Sequence, residues 1–85
     1  MHDLVAAQDT VKAACKIAKK NKLNKITRIT IKLGKIIEHN EELRPENLQF
    51  NFELVKRNTL ADKAKLVIKK GKGRELNIVE VEGEK

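Results

Sequence analysis

Apolar positions along this chain switch repeatedly between helical and strand spacing, and the switches mark out five elements. Leu4, Ala7, Val11, Ala14, Cys15 and Ala18 recur every three or four residues. That is one apolar stripe on a helix over 3–21. Lys12, Lys16, Lys19 and Lys20 face away from it, Asp3 and Asp9 suit its positive end, and Asn21 is the expected stop. Over 25–33 the period becomes two: Ile29, Ile31 and Leu33 point one way, and Arg28, Thr30 and Lys32 the other. This is a half-buried strand, closed by Gly34. Residues 35–44 read as a polar loop with an acidic centre, Glu38-His39-Asn40-Glu41-Glu42.

Pro45 fits the first turn of a second helix, whose buried stripe is Leu48, Phe52 and Val55, flanked by Phe50 and Leu54. Lys56, Arg57 and Asn58 end it, with Asn58 suited to a left-handed cap. A second strand covers 65–69. Lys70-Gly71-Lys72-Gly73 reads as a tight turn into a third strand, 74–82. There Leu76 and Ile78 alternate in one phase while Val79 and Val81 fall in the other, which predicts a bulge or burial on both faces.

The order is αβαββ. The first strand, second helix and second strand suit a right-handed crossover, and the last two strands suit an antiparallel hairpin. The economical architecture is an α+β open sandwich, with two helices on one face of a three-stranded mixed sheet. Repeats, low-complexity tracts and linkers are not visible. Eighty-five residues are expected to form a single domain, 1–85, able to bury a modest core unaided.

Composition narrows the function. The single cysteine, Cys15, cannot form an internal disulfide or build a zinc site, which fits a reducing compartment. It falls on the apolar stripe and reads as a small core residue before a reactive thiol, although lysines flank it. Neither a secretory signal nor a membrane-length apolar run is evident, so the expected address is the cytoplasm. Net charge is +7, from 19 Lys and Arg against 12 Asp and Glu. Such a balance brings nucleic acid to mind. Yet there is no Tyr or Trp, both Phe fall in one segment, and 15 of the 19 cations are Lys spread along the chain. Stacking platforms are therefore missing, and a solvated surface is the plainer reading. Lys69-Lys70-Gly71-Lys72-Gly73-Arg74 lacks the phosphate-loop spacing and reads as a basic turn. With no Ser in the chain, a nucleophilic triad is not expected.

The strongest chemical signal is the start, Met1-His2-Asp3. Methionine aminopeptidases generally spare Met before a bulky second residue, so Met1 is expected to stay. Its α-amine, the His2 amide nitrogen and the His2 imidazole then sit on one short chain and can close two small chelate rings in a plane. Planar nitrogen ligation suits Ni(II) or Cu(II) and not tetrahedral zinc. A frayed end that binds nothing is the ordinary alternative. His39, in the acidic loop, is a candidate fourth ligand, against the plainer reading of a solvated histidine.

These pieces stand in a familiar order. They are Met1-His2-Asp3, the helix ending Lys19-Lys20-Asn21, the strand from Ile26 to Gly34, the helix Pro45 to Glu53, then Asn58-Thr59-Leu60-Ala61 and Gly73-Arg74-Glu75-Leu76-Asn77-Ile78. Together they resemble the HypA/HybF family of nickel metallochaperones over essentially the whole chain. The resemblance implies an αβαββ nickel-binding domain that assists nickel insertion into [NiFe]-hydrogenase, or urease, and catalyses no reaction. It also implies a HypB-type maturation GTPase and a nickel-enzyme precursor as partners. His2 matches the family's nickel ligand, with the amine and amides of residues 1–3 beside it. The chain departs from the family in three places. Asp3 stands where the family has Glu, and Arg44 stands at the best match to an acidic residue, with Glu41 and Glu42 just before it. The family's two Cys-x-x-Cys pairs between the last two strands are absent, so no structural zinc is expected and roles of the zinc region are not carried over. A different class remains open beside this: a small basic module binding RNA or protein, its metal function lost with the zinc region.

Overall fold

The computed structural model describes residues 3–38 and 41–85, with Glu38 described by its backbone alone. The elements are α1 (Asp3–Lys20), β1 (Lys25–Leu33), β2 (Ile37–Glu38), β3 (Glu41–Glu42), α2 (Pro45–Val55), β4 (Lys65–Lys70) and β5 (Leu76–Glu84). The first strand and both helices start where the periodicity places them. The expected loop contains a small antiparallel ribbon, β2 with β3.

The sheet order is β4-β1-β5, with β1 parallel to β4 and antiparallel to β5. The expected hairpin between the last two strands does not form. They take opposite edges of β1, and the reason is burial. Ile26, Ile29, Ile31 and Leu33 of β1 are all nearly inaccessible, whereas most apolar residues of β4 and β5 are only partly covered. The most apolar strand therefore belongs in the centre, with both edges paired. Residues 71–75 do not fold β4 back onto β5; they arch over the exit of β1, with a turn at Gly73-Arg74. Gly71 donates its N–H to the Leu33 carbonyl at 2.9 Å, Lys35 donates to Gly73 at 2.9 Å, and Gly34 donates to Glu75 at 2.8 Å. This approach requires glycine at 34, since a Cβ there meets the Gly73 carbonyl oxygen at 2.5 Å.

The registers stack the inner face in rows: Leu66–Ile29–Val81, Ile68–Ile31–Ile78, then Leu33 beside Leu76. Between Ile78 and Glu80 the pairing slips, leaving Val79 as the extra residue and 52% exposed. This is the bulge that the change of phase predicts. A second slip lies at Thr27.

Both helices close the same face and touch each other. α1 approaches through small side chains: Ala6, Ala7, Thr10, Val11, Ala14 and Ala18 are buried. Thr10 satisfies its hydroxyl by donating to the Ala6 carbonyl at 2.8 Å. The buried arc is rotated toward Ala6 and Thr10, so Leu4 falls at its margin and is 44% exposed, unlike its place in the expected stripe. On α2, Leu48 and Phe52 are fully buried and Val55 is half-buried, while Phe50 and Leu54 face solvent.

The stop of α1 is a Schellman motif. Leu23 donates to Ala18 at 2.8 Å and Lys22 to Lys19 at 3.1 Å. The left-handed residue is Lys22, with φ 60, one position beyond the expected Asn21. Asn58 is also left-handed, with φ 62, as expected of the second stop. A non-glycine residue in that region costs about 1 kcal/mol. Lys22→Gly should therefore stabilise the protein by up to about 1 kcal/mol, read as a higher urea midpoint at unchanged slope. A lower midpoint would refute that assignment of strain.

Candidate metal site

α1 runs opposite to β1. Its last turn leads into β1, where Asn24 donates to the Glu84 carbonyl at 2.8 Å. Its first half lies along the start of β5, where Ala6, Asp9, Thr10 and Ala13 border Leu76, Asn77 and Ile78. The start of β5 lies beside the end of β1, where Leu33 pairs with Leu76. The chain then leaves β1 into the ribbon and α2. The start of α1, the ribbon and the start of α2 therefore share one end of the sheet.

Asp3 is the first residue of α1 and is half-buried, with its carboxylate in the positively charged first turn. Met1 and His2, immediately ahead of it, lie outside the described residues, as does His39. The ribbon pairs Ile37 with Glu42 and Glu38 with Glu41, bracketing positions 39 and 40. Its base is fixed by Leu43, which is buried and donates to the Ile36 carbonyl at 2.8 Å. Glu41 and Glu42 are exposed. Arg44 is exposed at the N-cap of α2 and its side chain makes no capping bond. Among the described residues, no three His, Cys, Asp or Glu side chains converge on a metal-sized space.

The family model for hydrogenase/urease nickel incorporation metallochaperones, HypA, matches residues 1–77. This chain belongs to the HypA family. The hydrogenase maturation factor HypA of Caldanaerobacter subterraneus subsp. tengcongensis is 32% identical over 69 residues, which is 81% of this chain. The chain spans 57% of that relative's own length. The solution structure of the Ni metallochaperone HypA from Helicobacter pylori superposes with a TM-score of 0.84 at 18% identity. It covers 99% of this chain and 98% of that one, and establishes that the two share a fold.

The match to the HypA family model includes Met1 and His2. The link between β4 and β5, where the family's cysteine pairs are expected, is Gly71-Lys72-Gly73-Arg74-Glu75. The amide of Gly71 is already bonded to Leu33, and no helix follows, so this link is a basic connection and not a phosphate loop. Cys15 is half-buried on α1 and packs against the core. It borders an open groove with Val11, Lys12, Lys16, Lys19, Asn58 and Leu60. Among the described residues, no helix is long and apolar enough to cross a membrane.

The core from Ala6 to Leu66 closes without any cysteine cluster. The metal-free protein should therefore be folded, unlike small zinc modules that unfold on chelation. Circular dichroism in excess EDTA should show the full helical signal and a cooperative melt. Loss of that signal, or stoichiometric zinc in the purified protein, would contradict this.

Proposed function

We propose that this chain is a single nickel-binding metallochaperone domain, 1–85, which carries Ni(II) as cargo for a [NiFe]-hydrogenase or urease precursor. The observation that carries the reading is the match of the HypA family model from Met1 onward, on a chain whose first residues are a nitrogen chelate in their own right. The α-amine of Met1, amide nitrogens of residues 1–3 and the His2 imidazole hold the ion in a plane. Asp3 begins α1 and tethers the chelate to the rigid body of the fold. His39, between Glu38 and Glu41 in the sequence, is the replaceable fourth ligand.

Delivery is by ligand exchange. An incomplete, solvent-accessible site gives up its ion to a better-ligated pocket, and no bond is made or broken in a substrate. A HypB-type GTPase and the enzyme precursor are the partners, and the cytoplasm is the place of work. Isothermal titration of untagged protein with Ni(II), against His2→Ala and an N-terminally extended form, tests the reading. Equal binding by all three would overturn it.

A further inference from the structure

The face of the sheet turned away from the helices carries a charge pattern that the fold does not need. With Ile29 and Ile31 facing the core, their neighbours face outward. The registers set these out in three rows across β4, β1 and β5: Lys65–Arg28–Glu82, Val67–Thr30–Glu80 and Lys69–Lys32–Asn77. Lys65, Lys69, Arg28 and Lys32 are all exposed. Arg28 is answered by Glu82 at 2.6 Å. Lys32, Lys65 and Lys69 have no carboxylate within ion-pair distance among the described residues.

Adjacent strands lie about 4.8 Å apart. Lys69 therefore stands directly beside Lys32, and Lys65 beside Arg28. Like charges so placed oppose folding, and an acidic residue at 69 would relieve it, as Glu82 does for Arg28. At the exit end the same positive sign continues through Lys35, Lys72 and Arg74, of which Lys35 and Arg74 flank one hollow with Ile37 and Gly73.

We propose that this open face docks an acidic segment of a partner protein, whose carboxylates are taken by Lys65, Lys32 and Lys69. Two features favour protein over nucleic acid. Both Phe lie on α2, so the face has no ring on which a base can stack. Its β5 margin carries Glu80 and Glu82, so the cations without a carboxylate partner are confined to the β4–β1 side, a patch that suits a short acidic segment better than a phosphate backbone running across the whole face. The proposal does not rest on the nickel reading and is tested on metal-free protein.

The probe is a fluorescein-labelled polyglutamate peptide, followed by anisotropy in EDTA at about 0.15 M salt. K32E/K69E and K12E/K16E change net charge equally, the first on the sheet and the second on α1, and both are first shown to melt cooperatively. The sheet variant should lose at least about tenfold in affinity and the helix variant less than about threefold. K69E alone should bind more weakly yet melt about 1–3 °C higher, because a repulsive neighbour is gone. Equal losses in the two double variants would overturn the proposal by showing that only net charge matters. So would a lower melting point for K69E, or duplex RNA of matched charge binding wild type more tightly than the peptide.

Discussion

A tag of several residues placed ahead of Met1, or acetylation of its amine, should remove tight Ni(II) binding even though His2 is untouched. The extension converts the α-amine into a peptide amide and moves the free amine out of chelating distance. The five- and six-membered rings that hold the ion in a plane can no longer both close at His2. His2→Ala should fail for the complementary reason, losing the imidazole while keeping the amine. Loss of an outer partner of a metal ligand commonly costs 10–100-fold in affinity, so loss of a ligand itself should exceed about 100-fold. His39→Ala should cost less than about tenfold, because its place is the replaceable one. Every donor must be free of its proton to bind. The ordinary α-amine and imidazole titrate at about 7.7–8.0 and about 6.5. Affinity should therefore fall steadily as pH is lowered through that range, with protons taken up on release. Calorimetry of the free, extended, His2→Ala and His39→Ala proteins at two pH values separates these outcomes. If the extended protein bound Ni(II) as tightly as the free one, ordinary histidine ligation would replace the chelate, and His39 with the acidic ribbon would become the better site.

A donor set of this kind can be proposed from the sequence alone because it lies in consecutive residues, and chelation by a chain end needs no tertiary partner. The same holds for local structure. The alternation of Ile29, Ile31 and Leu33 shows the first strand, and the change of phase between Ile78 and Val79 shows the bulge. Strand order is a different kind of information. Nothing local says that Leu76 pairs with Leu33 and not with Lys70. That follows from which strand must be buried on both edges, a property of the whole set. The same gap hides the cationic face. Arg28 and Lys32 alternate visibly in one strand, and Lys65 and Lys69 in another. Their juxtaposition exists only once β1 and β4 lie parallel in register. Read along the chain, the lysines look evenly spread, and the fold gathers them. Leu4 fails in the opposite direction. Its spacing suits the stripe, but alanines and Thr10 let α1 approach on a slightly rotated face, and no single-helix pattern carries that rotation.

Phe52→Ala should cost about 3–5 kcal/mol, while Phe50→Ala, two positions away on the same helix, should fall within about 0.5 kcal/mol of wild type. Phe52 is fully buried and heads the set of largest inaccessible side chains, whereas Phe50 is 67% exposed. The ring of Phe52 also has the Lys56 ammonium 5.5 Å above its centre. That lysine ties α2 to the entry of β4 by donating to the Ala64 carbonyl at 3.1 Å and pairing with Glu53 at 2.6 Å. Removing the ring leaves a cavity under α2 and loosens the floor on which the ammonium sits. A chain of this length is expected to be stable by about 4–13 kcal/mol in total, so the loss is a large share of what it has. The melting point should fall by more than about 12 °C, with the urea midpoint moving in step. Phe50→Ala is the internal control, because it removes the same atoms from the same helix. Equal effects at the two positions would mean that α2 is not seated through Leu48 and Phe52. The helix that follows the ribbon would then have no fixed place against the sheet, and neither would the end of the molecule at which the chain starts.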